Sequence, residues 1–181
     1  YRWKKDKHLF VVNPIEISFV EIDITSETFK TSIESLSDPF LRNSFQSHVN
    51  TGSRIQYSFS NKKKRTAFYL NSSIEGVGNT LKLAYNALDV DTNIRGNHEL
   101  LGIEFAQFVK LQSEVIYHYN ISQSNDLAFR FNGGVGVPFH NSNFALPFEK
   151  SFYIGGPNSL RAFKTRTLGP GSFYSGEKTF D

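Results

Sequence analysis

The 181-residue sequence contains no cysteine and no methionine. Without cysteine there is no disulfide framework, no thiolate metal site and no cysteine nucleophile, and the cysteine count does not indicate a redox compartment. Without methionine, Tyr1 cannot be a translation start, so we expect the sequence to be a piece of a longer chain.

Long apolar runs and a strong charge of one sign are missing as well. No run approaches the ~18 apolar residues of a spanning helix, and the sequence shows no charged n-region followed by an apolar h-region, so a helical membrane protein is ruled out. The net charge is only +3, with 20 Lys and Arg against 17 Asp and Glu. The basic residues are scattered except for the run Lys62 to Arg65, so nucleic acid is not expected as a partner.

Aromatic residues, by contrast, are abundant, and nearly all of them are phenylalanine or tyrosine. The chain has 18 Phe and 8 Tyr against a single Trp, a composition that favours strands. Apolar and polar residues also alternate with a period of two, as Ile55, Tyr57 and Phe59 do with their polar neighbours. The alternation predicts five strands, at about 8–22, 48–60, 66–76, 106–121 and 127–138. In the first strand Ile15, Ile17 and Phe19 are in phase, and we expect a slip after them.

The connections between these strands alternate in length. Short turns at 61–65 and 122–126 contrast with long segments at roughly 23–47, 77–105 and beyond 139, a distribution typical of outer-membrane barrels. If the short turns face the periplasm, one end of the strands carries an aromatic girdle, made of Tyr57, Phe59, Phe68, Tyr117, Tyr119, Phe129 and Phe131. A soluble antiparallel sheet with one wet face fits the alternation equally well.

Two of the long segments carry helical signals. Phe29, Ile33 and Leu36 have helical spacing, and Asp38-Pro39 is a plausible start for a second short helix. A third helix is expected in 77–105, where apolar residues recur from Leu81 to Leu88.

The last quarter of the chain contains the run FYIGGPNSLRAFKTRTLGPGSF, from Phe152 to Phe173. Its order and spacing resemble the sixth extracellular loop of the bacterial surface antigen superfamily, the BamA and TamA barrels, and most closely the TamA-like proteins of Bacteroidota. The matching positions are Gly155, Gly156, Leu160, Arg161, Ala162, Phe163, Gly169 and Pro170. Ala162 departs from the glycine of most members, which argues against a left-handed or very close-packed backbone there.

The resemblance implies an all-β fold, an antiparallel transmembrane β-barrel fragment with about five strands of a roughly sixteen-stranded barrel and short helices in its outer loops. Residues 1–181 would be part of one C-terminal barrel domain in the bacterial outer membrane. The outer loop at about 139–181 would fold inward, so that Arg161 meets the inner wall and Phe163 packs beside it. The alternative for this loop is a surface segment with a solvated arginine.

The function implied is assembly or translocation of outer-membrane proteins, by strand templating and barrel opening. Outer-membrane lipid and client outer-membrane proteins would be its partners, with periplasmic or inner-membrane assembly proteins as further candidates. We expect no enzyme activity, catalytic residue, metal or cofactor. The alternatives are a barrel that anchors or secretes an attached patatin-like lipase domain, and a soluble all-β binding domain.

Three other patterns give little support to chemistry. The run Asp89 to Asn93 opens like a calcium loop, but Ile94 and Leu100 occupy positions that require Gly and Glu. The glycines at 133–136 lack the spacing of a nucleotide fingerprint and are better explained by close packing. His118 shares a face with Glu114, and an acid/base pair is the less favoured interpretation beside lumenal polar residues.

Overall fold

A computed structural model describes residues 1–35, 47–93, 96–142, 145–157 and 159–166. The chain forms two compact units, Tyr1–Glu149 and Lys150–Asp181. The first unit is built on a six-stranded antiparallel sheet, which confirms the predicted all-β fold class.

The strands follow each other in the sheet in the order β1-β2-β3-β4-β7-β8. The five predicted strands are all present, and their ends differ from the predicted ones by no more than two residues. They are β2 (His8–Val20), β3 (His48–Lys62), β4 (Thr66–Val77), β7 (Phe108–Asn120) and β8 (Asp126–Pro138). The four-residue β1 (Arg2–Lys5) was not predicted, because RWKK is too short to show alternation. A separate pair, β5 (Glu99–Leu100) and β6 (Ile103–Glu104), lies in the long connection before β7.

The predicted slip in the first strand is wrong in position. The register of β2 against β3 shifts between Asn13 and Glu16, before Ile17 and Phe19 rather than after them. Pro14 and Ile15 there oppose the single residue Ser53, as in a β-bulge. Pro14 has no N–H to donate to the ladder, and bulges are among the few sheet positions that accept proline.

The two faces of the sheet differ sharply in polarity. Residues paired across the strands share a face, and one rung of the apolar face consists of Val12, Ile55, Ile74, Leu111 and Val135. The last four of these side chains remain between 45% and 55% exposed. A soluble sheet buries its apolar face under a second layer, so the exposure argues against the soluble-domain alternative and suits contact with lipid.

The opposite face, here called the polar face, carries charged and amide side chains. Arg54 lies between two carboxylates, 3.2 Å from Glu16 and 3.5 Å from Glu75. Further along, Arg130 donates to Glu114 over 2.6 Å. The charges are thus paired across neighbouring strands, in charge-assisted hydrogen bonds that are stronger than those between neutral groups.

The aromatic residues predicted to form a girdle lie on the apolar face near the short turns. Phe68, Tyr117 and Phe129 stand side by side on one rung. The ring centroids of Phe59 and Phe68 are 6.1 Å apart, and those of Phe10 and Tyr57 4.8 Å. The band is therefore present, whereas its position at the periplasmic interface stays a prediction.

Helices occur only in the long connections among the residues the structure describes. The helix predicted from the spacing of Phe29 and Ile33 is present as α1 (Glu27–Glu34). It begins after Ser26, whose hydroxyl accepts from the Phe29 N–H. The expected start of a second helix at Asp38-Pro39 lies outside the described residues. The third predicted helix is present as α2 (Asn79–Ala87). None of the described helices is long and apolar enough to cross a membrane.

Candidate functional site

The segment that follows β8 turns back onto the polar face of the sheet. We call residues 139–149 the strap; residues 143 and 144 within it are not described. It contacts β8 at Gly136 and ends at Glu149, which binds residues of β3. Because β7 and β4 lie between those strands, the strap spans four strands at the end remote from the short turns.

Buried Gln107, which is 1% exposed, holds the start of the strap. Its carbonyl accepts from the Phe139 N–H over 3.1 Å, and its own N–H donates to the Ser142 hydroxyl over 2.9 Å. Asn141 donates to the carbonyl oxygens of His98 and Phe105 over 2.8 and 3.1 Å. These bonds satisfy backbone groups that would otherwise be buried without a partner.

The middle of the strap is anchored by packing. Leu146 is buried in a small core with Val77, Ala106 and Phe108. A Cβ on Gly136 would lie 2.5 Å from the Leu146 Cδ1 atom, so a larger residue at this position would force the Leu146 side chain to shift. Close packing was the preferred explanation for the glycines at 133–136, and at Gly136 the structure supports it. Burying a leucine of this kind contributes about 2 kcal/mol.

The end of the strap is anchored by a carboxylate. Glu149 Oε1 lies 2.8 Å from His48 Nε2 and accepts from the Asn50 side-chain amide over 2.8 Å. Asn50 also donates to the Ser18 hydroxyl over 3.4 Å. Burial alone would raise the pKa of Glu149, but the hydrogen bonds from His48, its own backbone N–H and Asn50 outweigh it and lower the pKa to about 2. The carboxylate is therefore ionised at neutral pH.

Sequence reasoning did not identify this cluster as a site. His48 and Asn50 lie in the strand predicted at 48–60, and Glu149 lies in the outer loop expected at about 139–181. His48 and Glu149 are 101 positions apart in the sequence, so their contact leaves no local signal. Two polar residues on one face at the end of a strand were the available clue.

The described part of the second unit contains Gly155, Gly156 and the tetrapeptide Leu160 to Phe163. We call residues 152–157 and 159–166 the motif loop. The two sides of the loop are joined by hydrogen bonds from Gly156 N–H to the Phe163 carbonyl, 2.9 Å, and from Arg166 N–H to the Ile154 carbonyl, 3.1 Å. Gly155 and Gly156 have φ angles of +105° and +87°, which side chains rarely tolerate. A Cβ on Gly155 would also collide with the Lys164 carbonyl oxygen. The Gly-Gly pair is thus required by the shape of the loop.

The Leu-Arg-Ala-Phe tetrapeptide forms a turn of its own, closed by a hydrogen bond from the Phe163 N–H to the Leu160 carbonyl over 3.1 Å. Ala162 is not among the residues with positive φ, so alanine in place of the usual glycine strains no backbone here. Arg161 is exposed, and its Nε donates to the Pro157 carbonyl over 3.1 Å. That bond orients the guanidinium, whose terminal nitrogens carry four further N–H donors.

The remaining motif residues are placed as follows. Leu160 and Phe163 are 47% and 45% exposed. At the base of the loop the Arg166 guanidinium lies over the Tyr153 ring, 4.8 Å from its centroid, a cation–π contact that sequence reasoning missed. Gly169 and Pro170 lie outside the described residues. The contact of Arg161 with the inner wall of a barrel stays a prediction.

The structure does not support the His118–Glu114 pair as an acid/base site. Glu114 accepts from Arg130, and the nearest acid to His118 is Asp126, with Nδ1 and Oδ2 3.4 Å apart. Within the described ranges no group of three or more His, Asp or Glu side chains could hold a metal ion.

Comparison with known proteins identifies a family for this chain. The sequence model of a protein family, the Omp85 superfamily domain, matches residues 36–180, and this range includes β3 to β8, the strap and the motif loop. No solved structure matches the chain.

Proposed function

Because the chain belongs to the Omp85 superfamily, a family of outer-membrane protein assembly and translocation, we propose that it helps insert or translocate outer-membrane proteins. The proposed mechanism is strand templating: the barrel opens between two strands, and a client strand pairs with the exposed edge. The chemistry is an exchange of backbone hydrogen bonds, which needs neither a catalytic residue nor a cofactor.

Within the superfamily, the chain is proposed to be a TamA-like protein of Bacteroidota, on the strength of the Leu160 to Phe163 tetrapeptide and the Gly-Gly pair before it. Its location would be the bacterial outer membrane. Its partners would be the surrounding lipid, client outer-membrane proteins, and periplasmic or inner-membrane assembly proteins. Residues 1–181 would be part of one C-terminal barrel domain.

The observation that carries the proposal is the strap on the polar face. A wall that is apolar and exposed on one side has its polar side toward the lumen in a barrel. The strap fixes Glu149 on that polar side, and the chain continues from there into the motif loop. This supports inward folding of the first part of the outer loop, residues 139–149, rather than a solvated surface segment there.

In this proposal Arg161 braces the inner wall. A guanidinium is planar and delocalised, so it binds carboxylates and carbonyls in a confined lumen through two parallel hydrogen bonds. The bond from Arg161 to Pro157 limits the orientations of the side chain before it meets the wall.

The test replaces Arg161 in the full-length protein by alanine and, separately, by lysine. We expect Arg161→Ala to lower the amounts of client proteins in the outer membrane and to weaken the heat-modifiability of the barrel. Arg161→Lys keeps the charge but loses the planar fork, so an intermediate effect is expected. Unchanged client levels and heat-modifiability in Arg161→Ala would refute the role.

The organisation of the parent protein provides an independent check. POTRA repeats encoded upstream support the assembly function, whereas an upstream Gly-x-Ser-x-Gly elbow supports the anchoring of a lipase domain.

A further inference from the structure

Two short turns at the same end of the sheet bring a set of cations together. The turn between β1 and β2 lies against the turn between β3 and β4: Lys7 Nζ donates to the Asn61 side chain over 2.7 Å, and the Ser60 N–H donates to the Lys7 carbonyl over 3.0 Å. We call the cations of these turns the basic cluster. Its members are Lys4, Lys5, Lys7, Lys62, Lys63, Lys64 and Arg65, all exposed.

The charge of the chain is concentrated in this cluster. The two turns contain seven cations and one acid, Asp6, so their net charge is +6. Because the whole chain has a net charge of +3, the remaining residues together carry −3. Among the described residues none of the seven is ion-paired with a carboxylate. The third short turn, between β7 and β8, has no cation, so the cluster is not a general property of the turns.

An aromatic patch borders the basic cluster on the apolar face. Trp3, the single tryptophan of the chain, has its ring centroid 5.4 Å from that of Phe10. The patch continues through Tyr57 and Phe59 to Phe68. Trp and Tyr rings are enriched at the level of the lipid headgroups, with the apolar part of the ring toward the acyl chains. Lysines a few residues beyond such rings reach the headgroup phosphates.

We propose that the basic cluster is a binding surface for anionic phospholipid headgroups in the leaflet that the short turns face. The apolar face and its aromatic patch set the depth of the sheet in lipid, and the unpaired cations lie directly beyond them. A soluble acidic protein would match the charge but not the adjacent exposed rings. The attraction of a cation to anionic headgroups adds up over neighbouring lysines, and its strength decays with distance from the membrane surface over about one Debye length. The inference does not depend on the assembly activity.

The test uses the full-length protein in detergent with equal amounts of phosphatidylglycerol and phosphatidylcholine, and native mass spectrometry counts the lipids retained. The wild type is expected to retain phosphatidylglycerol preferentially. Lys63→Gln/Lys64→Gln should reduce the preference by about fivefold per lysine at the affected sites. The matched control Lys30→Gln/Lys82→Gln removes two charges from α1 and α2, outside the cluster, and should leave the preference unchanged.

A second measurement needs no substitution. Raising the ammonium acetate concentration from about 0.05 to about 0.5 M should weaken the wild-type preference, because salt screens exposed charges. An equal retention of both lipids by the wild type would overturn the proposal. An equal loss in both double variants, or a preference that salt does not change, would overturn it as well. Client assembly in cells is read separately, so its failure and the failure of lipid binding are distinguishable.

Discussion

Replacing Glu149 with glutamine removes the charge that anchors the end of the strap and keeps the size of the side chain. The pKa of Glu149 is lowered from 4.5 to about 2, so the folded state favours the carboxylate over the protonated acid. The full shift corresponds to about 3 kcal/mol. The side chain is 37% exposed, so solvent screening reduces the contribution to about 1–2 kcal/mol.

The sign of the pH dependence follows from the lowered pKa. The contribution of Glu149 is fully present above its ordinary pKa of 4.5 and is lost as the pH falls toward 2. The strap of the wild type should therefore loosen in that interval. The strap of Glu149→Gln should not respond there, because glutamine does not titrate.

Hydrogen–deuterium exchange of the strap in the full-length protein measures the effect. At neutral pH, a loss of 1–2 kcal/mol predicts amide exchange about 5- to 30-fold faster in residues 139–149 of Glu149→Gln, with β3 and β4 unchanged. Glu34→Gln, which neutralises an exposed acid in α1, serves as the control. Equal strap protection in Glu149→Gln and the wild type would refute the anchoring argument.

The structure makes two further predictions. Gly136→Val places atoms where Leu146 packs, so the strap should be displaced. We expect a loss of about 1–3 kcal/mol of strap stability and faster amide exchange in residues 139–149. Gly134→Val, two residues earlier on the same face of β8, is the control, and equal exchange in both variants would contradict the packing. Gly155→Ala combines a positive φ with a collision at the Lys164 carbonyl, and should cost about 1–3 kcal/mol. Faster proteolysis at 152–166 would reveal the altered motif loop, whereas an unchanged cleavage pattern would count against it.

The strands could be predicted from the sequence because their signal is local. Ile55, Tyr57 and Phe59 alternate with polar neighbours wherever the strand lies in space, and the short turns are contiguous in sequence. The motif residues were found through their resemblance to a family, and the positive φ angles of Gly155 and Gly156 give a backbone reason for the Gly-Gly pair. The bulge was misplaced because alternation alone did not show that Pro14 interrupts the ladder.

By itself, then, the sequence determined the positions of five strands and their all-β class, because both depend on periodicity. Only the tertiary structure decided what the strap does. The partners of Glu149 are a hundred residues away in sequence, and the fit of Leu146 against Gly136 depends on the path of the chain after β8. The basic cluster likewise arises because pairing of β2 with β3 joins two turns that are distant in sequence. Contacts of this kind are set by register and packing, and residue type alone does not reveal them.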